Sequence, residues 1–322
     1  MHKGKKEEKV KFLLPTGVGD SCWALFKIQA IRDKLDPGGT IDVSLVGSSG
    51  QVDSRAIDFV KRFSFVNSVN MKAYEIHNKR FYRKDGCYDY IEDGMYEFDG
   101  DKYCVLIPNE PLERGVRLEE WLPQYPINWN IFKQFRISPD ELDFAVQLKN
   151  EIGPYAVFYP GPLHGNTIDG HNRNGLWKPE DWIELGKRIH EEFGLEIVTV
   201  GAVYDASYYS VCLKSMVSDY WHNLIGKTNL GQLWAVTGQS KFLISYQAGV
   251  GIIATYLGTP TGIFWRPNGD SISPNVYLSF NEKMASAWVP PAILEKGTHL
   301  PLIYGKHGPN YVMNEIRTRR WA

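Results

Sequence analysis

SYQAGVGIIATYLGTPTGIFW, from Ser245 to Trp265, carries a complete strand–turn–helix–strand unit. It opens on the end of an apolar run, KFLISY, short enough for a buried strand. A turn of small residues follows at Gln247, Ala248 and Gly249, then the apolar helix GVGIIATYLG. Leu257-Gly258-Thr259-Pro260 ends that helix and PTGIFW starts the next strand. Two strands joined through a helix lie parallel in one sheet, and runs apolar on both faces fit a sheet covered on both sides.

The same alternation extends outward. LGQLWAVTGQS reads as a helix, HNLIG as a short strand, DASYYSVCLKSMV as a helix and LEIVTVG as a strand. PEDWIELGKRIHEEFG is a helix with Pro179 at its start and Gly194 as its stop. YAVFYPG (Tyr155 to Gly161) is the first strand of this half, and PTGIFW is expected to close it. Gly153-Pro154 reads as the joint between domains spanning 1–152 and 153–322. Ahead of it lie a strand, VKFLLP, a glycine turn, TGVGDS, and a helix, SCWALFKIQAIRDKL, whose Trp23, Phe26, Ile28, Ile31 and Leu35 fall largely on one face. IDVSLVG and YCVLIP are further strands, AIDFVKRF is a helix and FVNSVNM a third strand. Residues 72–102, rich in Tyr, Asp and Gly, resist assignment. SPDELDFAVQLKNEI begins a helix with Ser138 as N-cap, Pro139 at the first position and Glu141 closing a capping box. NYVMNEIRTRRWA is expected to pack back on the N-terminal domain. Two doubly wound α/β domains facing a central cleft follow from the right-handed crossover rule.

Composition sets outer bounds. The 322 residues suit two domains, and 43% hydrophobic with 23% charged content is ordinary for a globular chain. A formal net charge of -1 argues against a surface covered in phosphate-binding cations. Cys22, Cys87, Cys104 and Cys212 have no metal-clip spacing and fit reduced thiols. MHKGKKEEKVKF lacks a signal-peptide pattern, and no run approaches the ~20 apolar residues of a membrane span. The expected location is cytoplasmic, with a membrane-peripheral acceptor left open.

Gly17-Val18-Gly19-Asp20, with Ser21, occupies the first strand–helix turn, where ligands collect in open parallel sheets. Asp20 is either the helix N-cap or a base aimed at a ligand. The turn resembles G-x-G-x-x-G with Cys22 in place of the third glycine. That substitution, and a carboxylate where a pyrophosphate would lie, argue against a nicotinamide cofactor. In the second half, Gln247, Ala248, Gly249 and Gly251 present backbone N–H groups to a diphosphate, or serve only close helix packing. In HNRNGLWKPEDW, Arg173 and Lys178 are candidate phosphate partners or plain solvated cations, while Trp177 and Trp182 fit the core. Asp205, following Gly201, is a ribose-hydroxyl acceptor or a helix cap. No H-E-x-x-H, D-x-D at a strand end, G-x-S-x-G or P-loop occurs, and no metal is expected.

In order along the chain, LLPTGVGDSCWAL, LWKPEDWIELGKRI, Gly201 with Asp205, IGKTNLGQLWAV and QAGVGIIATYLGTPTGIFW resemble glycosyltransferase family 9, the heptosyltransferase-like group. The resemblance implies the GT-B fold, an acceptor-binding N-terminal domain and a nucleotide-sugar-binding C-terminal domain. It implies Asp20 as general base, with Gly17, Gly19 and Ser21 on the acceptor side, and a nucleotide-diphosphate sugar as donor substrate with no cofactor. Two positions depart from the family pattern. Ile252 stands where the family has histidine, and Gly175 where it has a phosphate-binding lysine, so the heptose donor is not implied. Inverting, metal-independent transfer with domain closure is the mechanism expected. A surface glycan or lipopolysaccharide is the first acceptor class. A hydroxymethylated DNA base is the second, with slight support from the KGKK start and RTRR end. A sugar-nucleotide epimerase and a non-catalytic sugar-nucleotide-binding protein are the alternatives outside transferases. The sequence leaves the oligomeric state open.

Overall fold

The computed structural model describes residues 11–15, 17–46, 54–72, 75–77, 80–82, 88–90, 94–98, 101–107, 111–112, 114–161, 177–205, 218–265, 282–303 and 305–322. The chain divides into two compact units, Met1–Arg136 and Ile137–Ala322. In the first, β1 (Lys11–Pro15) leads into α1 (Val18–Leu35), β2 (Ile41–Val46), α2 (Ser54–Lys61) and β3 (Val66–Lys72). Three short strands follow, β4 (Glu75–His77), β5 (Arg80–Tyr82) and β6 (Tyr88–Tyr90), then β7 (Gly94–Phe98) and β8 (Asp101–Val105). The main sheet has the order β3-β2-β1-β8-β7, parallel except for the edge strand β7. β4, β5 and β6 make a separate antiparallel sheet. The stretch that resisted assignment thus holds β4 to β7: its dense Tyr, Asp and Gly hide the alternation in strands of only three to five residues.

The helix α1 departs from the one-faced pattern. Ser21 to Ile31 are buried on all sides, Lys27 and Gln29 included, whereas Leu35 is 58% exposed. Lys27 is accommodated because its Nζ donates to the carbonyls of Leu122 (3.3 Å) and Tyr125 (2.9 Å). Burial still lowers its pKa to about 8, against a smaller upward pull from Glu119.

The second unit begins with α3 (Pro139–Ile152), capped as its sequence predicts: the Ser138 hydroxyl accepts from Glu141 N–H, and the Glu141 carboxylate accepts from Ser138 N–H. Then come β9 (Tyr155–Tyr159), α4 (Pro179–Phe193), β10 (Glu196–Thr199), a 3-10 turn (Val203–Asp205), β11 (Trp221–Asn223) and α5 (Leu230–Gln239). β12 (Leu243–Tyr246), α6 (Gly249–Tyr256), β13 (Thr261–Trp265), α7 (Glu282–Ala287), α8 (Pro291–Glu295), β14 (His299–Ile303) and α9 (Pro309–Arg319) complete it. Its six strands are all parallel, in the order β11-β10-β9-β12-β13-β14. Counted within the unit this is 3-2-1-4-5-6, the dinucleotide-fold order.

Period-two alternation builds two cores. Tyr155, Val157 and Tyr159 of β9 pack with Val198, Leu243, Ala145 of α3, Ala235 of α5 and Val250 of α6. Ala156 and Phe158 face the other way, onto Trp182 and Leu185 of α4 and Val312, Met313 and Ile316 of α9. Gly194 ends α4 in the left-handed region (φ 64°), the stop expected of it.

Three expectations about organisation are corrected. The second unit starts at Ile137 rather than 153, because α3 buries Ala145 in that unit's core and Gly153-Pro154 is only a turn into β9. The last helix stays within the second unit: its apolar side and Trp321 are consumed by the core beside α4. PTGIFW does not close the series, since β14 adds along β13. Pro301 masks that strand in the sequence, and it is tolerated because β14 is the edge of the sheet. The helix expected over DASYYSVCLKSMV lies outside the described residues from 206 to 217.

Candidate functional site

In a sheet wound 3-2-1-4-5-6 the chain leaves in opposite directions from the two central strands, which opens a crevice at their carboxyl ends. In the second unit those strands are β9 and β12. β12 ends at Tyr246, and the turn Gln247-Ala248-Gly249 begins at that crevice. Ala248 is the N-cap of α6, extended (φ -156°, ψ 163°) and with no side-chain cap. A methyl group supplies no acceptor, and the Gly251 N–H donates to the Ala248 carbonyl (3.1 Å), which leaves the N–H groups of Gly249 and Val250 at the opening of the turn. Gln247 is half-buried, and its Oε1 is enclosed without a hydrogen-bond partner among the described residues. Gly251 fits the close-packing alternative: a Cβ there would stand 2.6 Å from Ser245 Oγ and 3.0 Å from Ile263 Cδ1. It seats α6 on β12 and β13. Ile252 is buried in the same helix, 6% exposed.

Below the crevice lies an aromatic floor. Trp177, Trp182, Tyr246 and Phe264 meet with ring centroids 4.7–6.1 Å apart. The indole N–H of Trp182 donates to Tyr246 Oη (3.4 Å), whose hydroxyl donates to the Trp177 carbonyl (3.3 Å). Both tryptophans are therefore core residues, as their sequence context predicts. Lys178 follows Trp177 directly, is exposed, and stands at the N-cap of α4 on the carboxyl side of the sheet. Arg173 and Gly175 lie outside the described residues.

At the end of β10, Asp205 is only 1% exposed. Its Oδ2 accepts from Ala202 N–H at 2.7 Å and from the Tyr159 hydroxyl at 3.5 Å. Gly201 makes room for it, since a Cβ there would lie 3.0 Å from that oxygen. Of the two roles the sequence left open, the contacts of Oδ2 fit the capping one: this oxygen is folded into its own turn. The neighbouring surface is apolar instead. Val203 is 75% exposed and stands against Gly226, which follows β11 with φ at 67°.

Sequence reasoning missed His307 together with β14. Its Nδ1 accepts from Ile303 N–H (3.1 Å), its carbonyl accepts from the Trp177 indole (2.8 Å), and its ring stacks on Tyr311 at 4.0 Å. Burial, then Lys306, lowers its pKa, so the ring is neutral near pH 7 with its proton on Nε2. The apolar run HLPLI was the available signal.

The first unit repeats the geometry at β1 and β8. The N-cap of α1 is Gly17 (φ -68°, ψ 134°), with no side-chain cap, and Ser21 N–H closes the first turn on the Gly17 carbonyl at 2.8 Å. Asp20 is thus the third helical residue, which removes the N-cap reading for it. Gly19 lies inside the first turn and Ser21 is fully buried. The buried Cys22 thiol is pushed up in pKa by desolvation and is inert. Among the described residues no group of three His, Cys, Asp or Glu side chains is placed to hold a metal, and no helix is long and apolar enough to cross a membrane.

No protein-family model matches the sequence, and no curated protein matches it. Solved structures do match by fold. A glycosyl transferase family 9 protein from Veillonella parvula is similar with a TM-score of 0.62 at 12% identity, covering 97% of each chain. The ADP-heptose LPS heptosyltransferase II of E. coli is similar with a TM-score of 0.59 at 16% identity, covering 97% of this chain and 98% of that one. The E. coli heptosyltransferase WaaC, solved with ADP, gives 0.51 at 14% identity over 96% and 100%. At such identities the likeness is one of fold, and it runs nearly end to end: the chain has the GT-B fold, two Rossmann-like parallel-sheet domains in succession.

Proposed function

We propose that this chain is a glycosyltransferase that moves a sugar from a nucleotide-diphosphate donor to an acceptor hydroxyl, with inversion and without a metal. The observation that carries the reading is the uncapped small-residue turn Gln247–Gly249 at the crevice of a 3-2-1-4-5-6 sheet. Helix N–H groups and the positive end of the helix dipole favour an anion there, and no acidic side chain occupies the turn. The diphosphate would lie on the first turn of α6, with the Gln247 amide and Lys178 beside it. The exposed Val203 beside Gly226 would take the base, while Gly201 and Asp205 shape that strand end rather than bind ribose.

Asp20 is the proposed general base on the first unit. It removes the proton of the acceptor hydroxyl while that oxygen forms a bond to the anomeric carbon. The bond from that carbon to the diphosphate breaks, and the α6 N-terminus stabilises the departing charge. Donors from the fold neighbours set the order of trial: WaaC was solved with ADP, and the other E. coli enzyme is named for ADP-heptose. A surface glycan such as lipopolysaccharide is the acceptor class proposed.

Thermal shift against nucleoside diphosphates and nucleotide sugars tests the donor half. A ligand bound only by the native state stabilises it by about 2.7 kcal/mol at a hundredfold excess over its Kd. One base giving a shift identifies the donor series; no shift with any of them defeats the reading.

A further inference from the structure

The peptide unit that joins Trp177 to Lys178 is pinned at both of its polar ends. Its N–H donates to Asp181 Oδ2 at 2.8 Å, inside the first turn of α4. Its carbonyl accepts from the Tyr246 hydroxyl at 3.3 Å. That hydroxyl has a defined direction, because its oxygen already accepts from the Trp182 indole at 3.4 Å. Trp177 is held from its other side, where its indole donates to the His307 carbonyl at 2.8 Å. Trp177, Trp182 and Tyr246 are at most 5% exposed, so water does not compete for the hydroxyl bonds.

Lys178 is the first residue beyond this anchored peptide, and it is exposed. With its backbone fixed as the N-cap of α4 (φ -74°, ψ 161°), the origin and heading of its side chain are fixed too. Tyr246 is also the last residue of β12, and Gln247 of the uncapped turn follows it directly. One side chain thus ties the strand end that carries the turn to the helix start that carries the cation. Ring packing of Trp177 and Trp182 on Tyr246 and Phe264 spaces these two walls of the crevice, but it does not orient a peptide. Phenylalanine would fill the same floor. What the hydroxyl adds is an acceptor for Trp182 and a hold on the Trp177–Lys178 peptide, and only the second bears on a ligand.

We infer that Tyr246 is a positioning residue for the diphosphate: through the Trp177–Lys178 peptide its hydroxyl aims Lys178 at phosphates lying on the first turn of α6. The inference rests on the proposed donor site and adds a residue that acts through another side chain. A lysine is a flexible point charge, and holding it against a ligand costs rotamer freedom. A preset backbone removes part of the ordering that binding must otherwise supply.

The test titrates the full chain calorimetrically with ADP, GDP, UDP and CDP. Tyr246→Phe keeps the ring, removes the hydroxyl, and should weaken the diphosphate that the wild type binds about three- to tenfold. On a Lys178→Met background the same change should weaken binding no further, because the hydroxyl acts through that side chain. Tyr155→Phe is the structural control. Its buried hydroxyl also donates to a backbone carbonyl, that of Val236 at 2.7 Å, but at the amino end of β9. It should lower the urea midpoint and leave the affinity unchanged. Wild-type affinity in Tyr246→Phe overturns the inference, as does an equal further loss on the Lys178→Met background or a matching loss of affinity in Tyr155→Phe. A wild type that binds none of the four diphosphates defeats the donor reading itself, and the inference with it.

Discussion

The turn after β1 and the turn after β12 share a geometry and differ in charge. Each follows a central parallel strand, and each enters a helix through an N-cap without a side-chain cap, Gly17 in one and Ala248 in the other. The first places Asp20 in the opening turn of its helix; the second has only Gly249, Val250 and Gly251 at the corresponding positions. An anionic ligand is favoured at the second turn and opposed by the carboxylate at the first. In the proposed reading, one scaffold serves a proton acceptor in one unit and a diphosphate in the other. The helices differ as well. α1 is long and buried all round from Ser21 to Ile31, whereas α6 is short and depends on Gly251 to approach its strands.

The sharpest way to break this contrast is Asp20→Asn. Turnover with the matching donor and acceptor should fall about 10²–10⁴-fold, the usual worth of a general base, while the nucleotide shift stays. Near-normal turnover would leave the two turns without a division of labour. Gly251→Ala comes next: the new Cβ meets Ser245 Oγ and Ile263, so urea unfolding should show a loss of about 1–3 kcal/mol, together with weaker nucleotide binding. Stability unchanged by this variant would mean that α6 can slide and that the turn is not held. Val203→Asp should lower nucleotide affinity about tenfold, through repulsion of the phosphates, with stability within about 0.5 kcal/mol because the site is exposed.

The smallest effect concerns α1. Lys27 has a folded pKa of about 8, below its ordinary 10.5, so between those values the unfolded chain binds more protons than the folded one. Its contribution to stability therefore rises as pH climbs from about 8 to 10.5. Urea unfolding at pH 8 and pH 10 should show that rise in the wild type relative to Lys27→Met, since other groups titrating in this window are common to both. Equal slopes would place the Lys27 ammonium in water.

The helix ends and one turn of the candidate site were legible from local chemistry. The capping box at Ser138 and Glu141, the stop at Gly194 and the turn at Gln247–Gly249 follow from short-range sequence alone. Asp205 was legible only as an ambiguity. A carboxylate after a strand can face a ligand or its own backbone, and only the 2.7 Å bond from Ala202 N–H and the near-complete burial separate these. Val203 and His307 carried no sequence signal of function, because exposure and neighbours are set by the packing of distant elements.

The strand–helix periods determined, by themselves, that this is a two-part α/β chain with small-residue turns after β1 and β12. Periodicity reports which residues seek burial within one element, and turn chemistry reports where elements stop. Which unit an element joins is decided by where its apolar surface finds a complement. That is why α3 and α9 belong to the second unit, why β14 extends its sheet despite Pro301, and why a lysine could be buried in α1 once two carbonyls from residues far along the chain met its Nζ.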